Sequence, residues 1–367
     1  MSSRHVFPML FVFGLGALIA TAASQQGPLA QMGQGRRNLA GASPLPEVEI
    51  CLGSELAAIA GSLRETVNQV PRTIRDQLGF APQSLQWRDS LEVAPFSYQL
   101  RLRGLTVGTG QLRPGALVAL QTVGTDAADL PGEAFDDPVS GRRGVWIEEQ
   151  DAGQARLLGF DVLDASFLMA LHVDTLLRRH LHELLTREEA HHAIERARHL
   201  VPRTVQELLG RLPVGVVQQV LRNLLREQVS LRDLPFIVEA LTDAAEGGVR
   251  DPEILTERLR LRLARQLTAE LADLDGSLKV IPIGFRWDQL REAQPGDPVV
   301  LELIARLRAR LAIERESRRR TVLLAPQDMR AKARRLIEGA LPDLPVLSEQ
   351  EVDPAVRVVR LADLIPA

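Results

Sequence analysis

Cysteine is almost missing from this chain. Cys51 is the only one in 367 residues, which excludes an intrachain disulfide framework and a cysteine-based zinc knot. Aromatic residues make up 4%, too few to build the stacking platforms on which single-stranded nucleic acid is bound. Lysine is equally rare: among 44 basic residues only Lys279 and Lys332 are lysines, a bias of coding more than of function. Neither sign of charge dominates. The formal net charge of -3 gives no basic excess of the kind a nucleic-acid partner requires, so none is expected. What remains is 45% hydrophobic and 25% charged, ample for several domains with cores of Leu, Val, Ala and Ile.

Catalytic and cofactor signatures are missing as well. There is no G-x-x-x-x-G-K-[ST] loop, and Gly14-Leu15-Gly16 lies in a hydrophobic segment where it cannot cradle a phosphate. His182-Glu183 opens like a zincin motif, but Thr186 stands where the second histidine belongs. Six of the 7 histidines fall between His172 and His199. His180 and His182 diverge by about 200° around a helix, and His192 and His199 are two turns apart, so neither pair converges on one ion. Surface or helix-packing histidines are the expectation; a His-dependent metal site and a protonation switch are the sharper alternatives. Neither a metal nor a cofactor is expected, and no residue is assigned a catalytic role. The run Glu314 to Arg320, ERESRRR, reads as a solvated helix end before a strand, and Asp136-Asp137-Pro138 as a turn.

The amino terminus has two readings. Val6 to Ala23, VFPMLFVFGLGALIATAA, is uncharged and about 27 Å long as a helix, enough to span a thin hydrocarbon core. It also fits a secretory signal peptide, with Arg4 and His5 as n-region and Ala20-Thr21-Ala22 as a small-residue cleavage site. Residues 24–46 are rich in Gly, Gln, Pro and Ala without periodicity and read as a flexible linker.

Beyond the linker, residues 47–120 read as mixed α/β. Leu56 to Leu78 is helical with an interruption at Pro71. Tyr98, Leu100 and Leu102 alternate with Gln99, Arg101 and Arg103 as a half-buried strand, and Gly104 and Gly108-Thr109-Gly110 mark turns. Residues 121–159, broken by Gly, Asp and Pro, read as a small insertion. The first unit resumes at 160–185 with a strand and a helix. Helices fill 186–250, the first opened by the capping box Thr186-Arg-Glu-Glu189. Asp251-Pro252-Glu253 then begins a helix and a terminal unit, 251–367, in which strands and helices alternate.

The most informative stretch is Gln218 to Glu246, QQVLRNLLREQVSLRDLPFIVEALTDAAE. Val217, Val220, Leu221, Leu224 and Leu225 recur at helical spacing and leave Arg222, Asn223, Arg226 and Glu227 on the other face. Ser230, with Asp233 three residues on, is expected to cap a second helix whose stripe is Leu234, Ile237, Val238 and Leu241. Nothing there looks catalytic, so the stretch reads as a packing and assembly module. It resembles the signature "QxVLxNLLxExVSIRDLxxILEAL" of the type III secretion export-gate family, also called the FlhA/SctV or FHIPEP family. Trp87 to Leu120, WRDSLEVAPFSYQLRLRGLTVGTGQLRPGALVAL, resembles that family's first cytoplasmic subdomain. Asp137 to Ile147, DPVSGRRGVWI, resembles "DPxFGxxAxWI" of the second. Leu157 to Glu189 and Leu323 to Val352, with Arg330 at the family's arginine position, continue the likeness in the family's order.

The resemblance implies an α+β multi-subdomain fold. A mixed α/β subdomain (47–120 and 160–185) would carry a ferredoxin-like insertion (121–159), followed by a helical subdomain (186–250) and a C-terminal α/β subdomain (251–367). A transmembrane helix at 6–23 would precede them. It implies a homo-oligomeric, nonameric ring at the bacterial inner membrane, the bulk of the chain cytoplasmic, receiving secretion chaperones, cargo and the export ATPase stalk. No enzymatic activity is implied. The docking residues implied are Asp137, Ser140 and Leu171, at the family's "DPxF" and "THL" positions, with Trp146 in the same subdomain. Arg222 and Arg226, on the polar face of the first helix of that stretch, are candidates for neighbour contacts, with an ordinary solvated face as the equal alternative. Two departures stand out. The family's multi-helix membrane half has no counterpart in this sequence, so this chain alone is not expected to conduct protons. Ser140 replaces the aromatic of "DPxF", which removes a hot-spot anchor and points to partners of virulence type rather than flagellar chaperones. The rival function is an exported helical scaffold released from its signal peptide.

Overall fold

The computed structural model describes residues 46–361, apart from 123, 127–128, 139–140, 284–286 and 315–319. The expected span at 6–23, nearly all of the linker and Ser140 therefore lie outside the described residues. Among those described, no helix is long and apolar enough to cross a membrane.

The chain begins with strand β1 (Val48–Leu52), a 3-10 turn, and helices α1 (Ala60–Val67) and α2 (Val70–Leu78). The helical break falls at Asn68 and Gln69, and Pro71 sits in the first turn of α2, where its missing N–H costs nothing. Strands β2 (Gln86–Asp89), β3 (Ser97–Leu102) and β4 (Leu105–Gln111) complete a sheet of order β2-β1-β3-β4. The β3 pattern alternates half-buried and buried, as its sequence alternation demands. Arg103 and Gly104, both at positive φ, form the hairpin turn. Gly108 and Gly110 do not turn the chain: both lie within β4. A Cβ on Gly110 would stand 2.5 Å from the Tyr98 ring, so glycine there makes room for the tyrosine.

A second sheet joins β5 (Leu117–Leu120), β6 (Glu133–Asp136), β7 (Arg143–Ile147) and, after helix α3 (Ala152–Leu157), β8 (Asp161–Asp164). Its order is β6-β7-β5-β8 and every pairing is antiparallel. Alternation gives it two apolar faces. Ala119, Val145 and Ile147 pack with Ala155 of α3 and with Phe160. Val118, Leu120, Phe135 and Trp146 join the main core, which includes Leu168 and Met169 of α4 (Ala165–Leu184).

Asp164 caps α4 by accepting from the Phe167 N–H at 2.8 Å, and Thr186 accepts from Glu189 at the start of α5 (Arg187–Arg198). Helices α6 (Pro202–Arg211), α7 (Val214–Arg226) and α8 (Leu234–Ala244) follow. All five apolar residues singled out on α7 are buried. The cap of α8 is Asp233, which accepts from the Phe236 N–H at 3.1 Å. Ser230, expected in that role, instead donates at 2.9 Å to the carbonyl of Gln77 at the end of α2. Pro235 in the first turn fixes the helix start nearer Asp233.

Asp251 caps α9 (Pro252–Arg262), which leads to α10 (Ala264–Leu271). The last sheet is all parallel, β11-β10-β9-β12, from β9 (Ser277–Pro282), β10 (Thr321–Ala325), β11 (Val346–Ser348) and β12 (Arg357–Arg360). Its helices are α11 (Trp287–Glu292), α12 (Pro298–Glu314) and α13 (Arg330–Ile337). The unbroken burial of β10 is what a parallel strand covered on both faces requires. Leu278, Val280, Val322 and Leu324 meet the main core, while Ile281 and Leu323 meet α11, α12 and α13.

Candidate functional site

The chain's single tyrosine is the key to the region around Asp137. Tyr98 lies on β3, His172 in the middle of α4, and Asp137 at the exit of β6. The Tyr98 hydroxyl hydrogen-bonds to His172 Nδ1, and His172 Nε2 lies 2.6 Å from Asp137 Oδ1. An ionised carboxylate only accepts, so Nε2 carries the proton toward Asp137, and in a neutral ring Nδ1 accepts from the phenol. All three side chains are at most 1% exposed. Burial, with the Asp137 charge beside it, holds the Tyr98 phenol well above its ordinary pKa. The order Tyr-His-Asp resembles a catalytic relay, but a sealed phenol that resists ionisation has no room for a substrate. These groups instead tie the β6–β7 turn to β3 and α4.

The backbone around Asp137 is fixed too. Its N–H donates to the Arg142 carbonyl at 2.9 Å, and the Gly141 N–H to its own carbonyl at 2.8 Å. Arg142 donates to the carbonyl of Gln121 at 2.9 Å and to Asp161 at 2.7 Å, crossing to β8. Of the other residues implied for docking, Trp146 is 7% exposed and lies 4.9 Å from Phe135, edge to face, with the Arg113 guanidinium 5.9 Å above it. Arg113 is paired in turn with Glu133. Leu171 is half-buried beside His172. The fold thus brings Asp137 next to the α4 turn that carries Leu171, with Asp137 facing inward.

Arg222 and Arg226 have different surroundings. Arg222 donates to the Leu185 carbonyl at 2.8 Å, where Gln218 also donates at 3.0 Å, so both cover the end of α4. Arg226 is exposed. The remaining polar face of α7 is largely engaged within the chain. Asn223 donates to Thr256 at 3.0 Å, and Glu227 accepts from Arg330 at 2.6 Å and lies 3.3 Å from Arg260. Arg330 also holds Glu257, and Arg260 reaches Glu351 at 2.6 Å. Burial would raise the Glu227 pKa, but Arg260 and Arg330 outweigh it and hold the carboxyl at about 2. This buried network joins α7 and α9 to the terminal sheet.

His182, at the end of α4, is held at about 4 by burial and by the nearby Arg226 charge. Among the described residues no three His, Cys, Asp or Glu side chains are grouped to hold a metal. Sequence reasoning missed His172. The signal was available: one tyrosine on the buried face of a strand needs a hydrogen-bond partner, and His172 lies on the apolar stripe of α4.

The sequence profile of the FHIPEP family matches residues 17–357. This chain belongs to the FHIPEP family. It is 30% identical over 299 residues to the flagellar biosynthesis protein FlhA of Yersinia enterocolitica, covering 80% of this chain and 43% of that one. It is 29% identical over 366 residues to FlhA of Bacillus subtilis, covering 96% of this chain and 49% of that one. This FHIPEP-family chain thus spans about half the length of the curated relatives it matches. Among solved structures, the Chlamydia pneumoniae CdsV protein superposes with TM-score 0.75 at 20% identity, covering 90% of this chain and all of that one. The CdsV and CdsO complex gives TM-score 0.74 at 20% identity, covering 89% and 100%. Nonameric EPEC SctV-C gives 0.68 at 20% identity, covering 88% and 99%. At these identities the likeness shows a common fold: a mixed α+β chain of several sheets and helices.

Proposed function

We propose that this FHIPEP-family chain is an export-apparatus component of a type III protein secretion system, acting as a non-enzymatic docking platform. Family membership over residues 17–357 is the observation that carries this reading. Nine copies form a ring on the cytoplasmic side of the bacterial inner membrane, with residues 6–23 as the anchor. The likeness to nonameric EPEC SctV-C supports the ring, and the likeness to CdsV in its complex with CdsO supports an export-ATPase stalk as one partner. Secretion chaperones with their cargo are the other.

On this reading the chain divides into four subdomains, 47–120 with 160–185, 121–159, 186–250 and 251–367. For the second, the all-antiparallel order β6-β7-β5-β8 supports a ferredoxin-like unit. Its sheet also takes in Leu117–Leu120 and Asp161–Asp164 from either side. The docking site is the junction of this sheet with α4. Leu171 and Trp146 contribute to it, Asp137 shapes it from within, and Ser140 flanks it in sequence. Arg226, exposed at the end of α7, is the better placed of the two arginines to meet a neighbouring copy. Arg222 supports it from inside.

Deleting the gene in its own cell and comparing the exported proteins by mass spectrometry tests the reading. A set of exported proteins should disappear and return on complementation. An unchanged set of exported proteins would overturn the function.

A further inference from the structure

Among the described residues, the seam between the β5–β8 sheet and α4 combines apolar contact with a hydrogen-bonded relay. Val118, Leu120, Phe135 and Trp146 on the sheet belong to the same core as Leu168 and Met169 on α4. Apolar contact is non-directional: it favours burial but does not choose among closely related seatings of one surface on another. Hydrogen bonds do choose, because donor and acceptor must meet at a fixed distance and angle. A buried polar group in an apolar interface penalises every arrangement that leaves it unpaired. The relay runs across this seam. Tyr98 comes from β3, His172 from α4, and Asp137 from the turn of the sheet being seated.

We propose that Tyr98, His172 and Asp137 are positioning residues that seat the β5–β8 sheet on α4 in one orientation, with Asp137 acting inward through His172 instead of on a docking partner. Asp137 is suited to this because its own loop is closed by the Arg142 and Gly141 backbone bonds. Moving the carboxylate moves the turn, and Arg142 carries the displacement to Gln121 and Asp161. Gly110, beneath the Tyr98 ring, lets the phenol reach the seam. The consequence for docking rests on the function proposed above, since Leu171 and Trp146 keep their relative placement only while the sheet is seated. The seating itself does not depend on that function.

Distances between two spin labels test it on the full chain, without any partner. Gly61 on α1 and Gly153 on α3 are exposed, and a Cβ at either meets nothing within 4 Å; each is changed to cysteine and labelled. Cys51 is fully buried and stays unlabelled. With the relay intact one narrow distance peak is expected. In His172→Leu that single peak should be lost to a broad or split distribution, although the seam stays apolar. Asp137→Asn keeps an acceptor for Nε2–H and should keep the single peak. A merely structural role would lower stability without changing the width of the distribution. Should His172→Leu fail to fold, Tyr98→Phe removes one hydroxyl and should still widen the peak. An unaltered peak in whichever of these two variants folds would overturn the proposal, as would an Asp137→Asn distribution as broad as that of His172→Leu. Neither result bears on whether the chain serves in protein export, which the deletion experiment reads separately.

Discussion

His172 Nε2 stands 2.6 Å from Asp137 Oδ1, joining the middle of α4 to the β6–β7 turn where neither side chain is more than 1% exposed. A residue placed by sequence likeness at a docking surface is therefore held by an internal partner. Under the proposed function, docking here would depend on how the surrounding surface is shaped. Leu171, half-buried, stands one residue before His172, and the buried Trp146 ring packs on Phe135 beneath.

Removing the Tyr98 hydroxyl leaves His172 Nδ1 buried without its donor. Tyr98→Phe is expected to cost about 1–3 kcal/mol, the usual penalty for an orphaned buried polar atom. The shift of the urea midpoint at constant m-value measures it. A variant as stable as the parent would mean that the hydroxyl contributes little.

Arg330 is 1% exposed and serves two carboxylates, Glu227 and Glu257. Arg330→Met removes the partner shared by both charges, leaving Arg260 to hold Glu227, and is expected to lower stability by about 3–5 kcal/mol. Adding Glu227→Gln and Glu257→Gln to it should recover part of that loss. Equilibrium denaturation of the single and triple variants provides the comparison.

Glu227 also sets an acid limit. Its carboxyl is held at about 2 in the folded chain against an ordinary value of 4.5. Its contribution is complete above the unfolded value and lost as pH falls from about 4.5 toward 2, on the order of 3 kcal/mol in all. In Glu227→Gln the fall of melting temperature across that window should be shallower. An identical slope would contradict the assignment.

His182 acts in a higher window. Burial and Arg226 lower its pKa from 6.5 to about 4. The unfolded chain therefore takes up this proton first, and stability present above 6.5 declines as pH drops from there toward 4. His182→Gln should flatten the melting profile between those values, and Arg226→Gln should do so in part.

Gln228, just past α7, adopts φ +56°, a left-handed conformation that favours glycine. Gln228→Gly is expected to stabilise by about 0.5–1 kcal/mol. Thermal melting reads the gain directly, and a loss would show that the side chain makes a contact worth more than the strain.

Local chemistry made much of this fold legible. The α7 stripe, the Thr186 cap of α5 and the Asp251-Pro252 start of α9 all depend on residues near one another in sequence, and all three form. What could not be read was non-local. Ser230 has the spacing of a cap, but Gln77 takes its hydroxyl from 153 residues away. Gly108 and Gly110 look like turn residues until β4 is seen lying against Leu176 and Tyr98. The polar face of α7 looks solvated until Arg330 and Arg260 close over Glu227. Likeness to a family brought Asp137 forward, but its direction depended on His172, whose pairing joins residues 35 apart in sequence.

Mass photometry of the full chain in lipid discs, over a range of concentrations, tests the docking platform most directly. Assemblies of nine copies, forming from single chains as concentration rises, are the expected result. Single chains alone at every concentration, with the described domains folded, would contradict the ring and the function built on it.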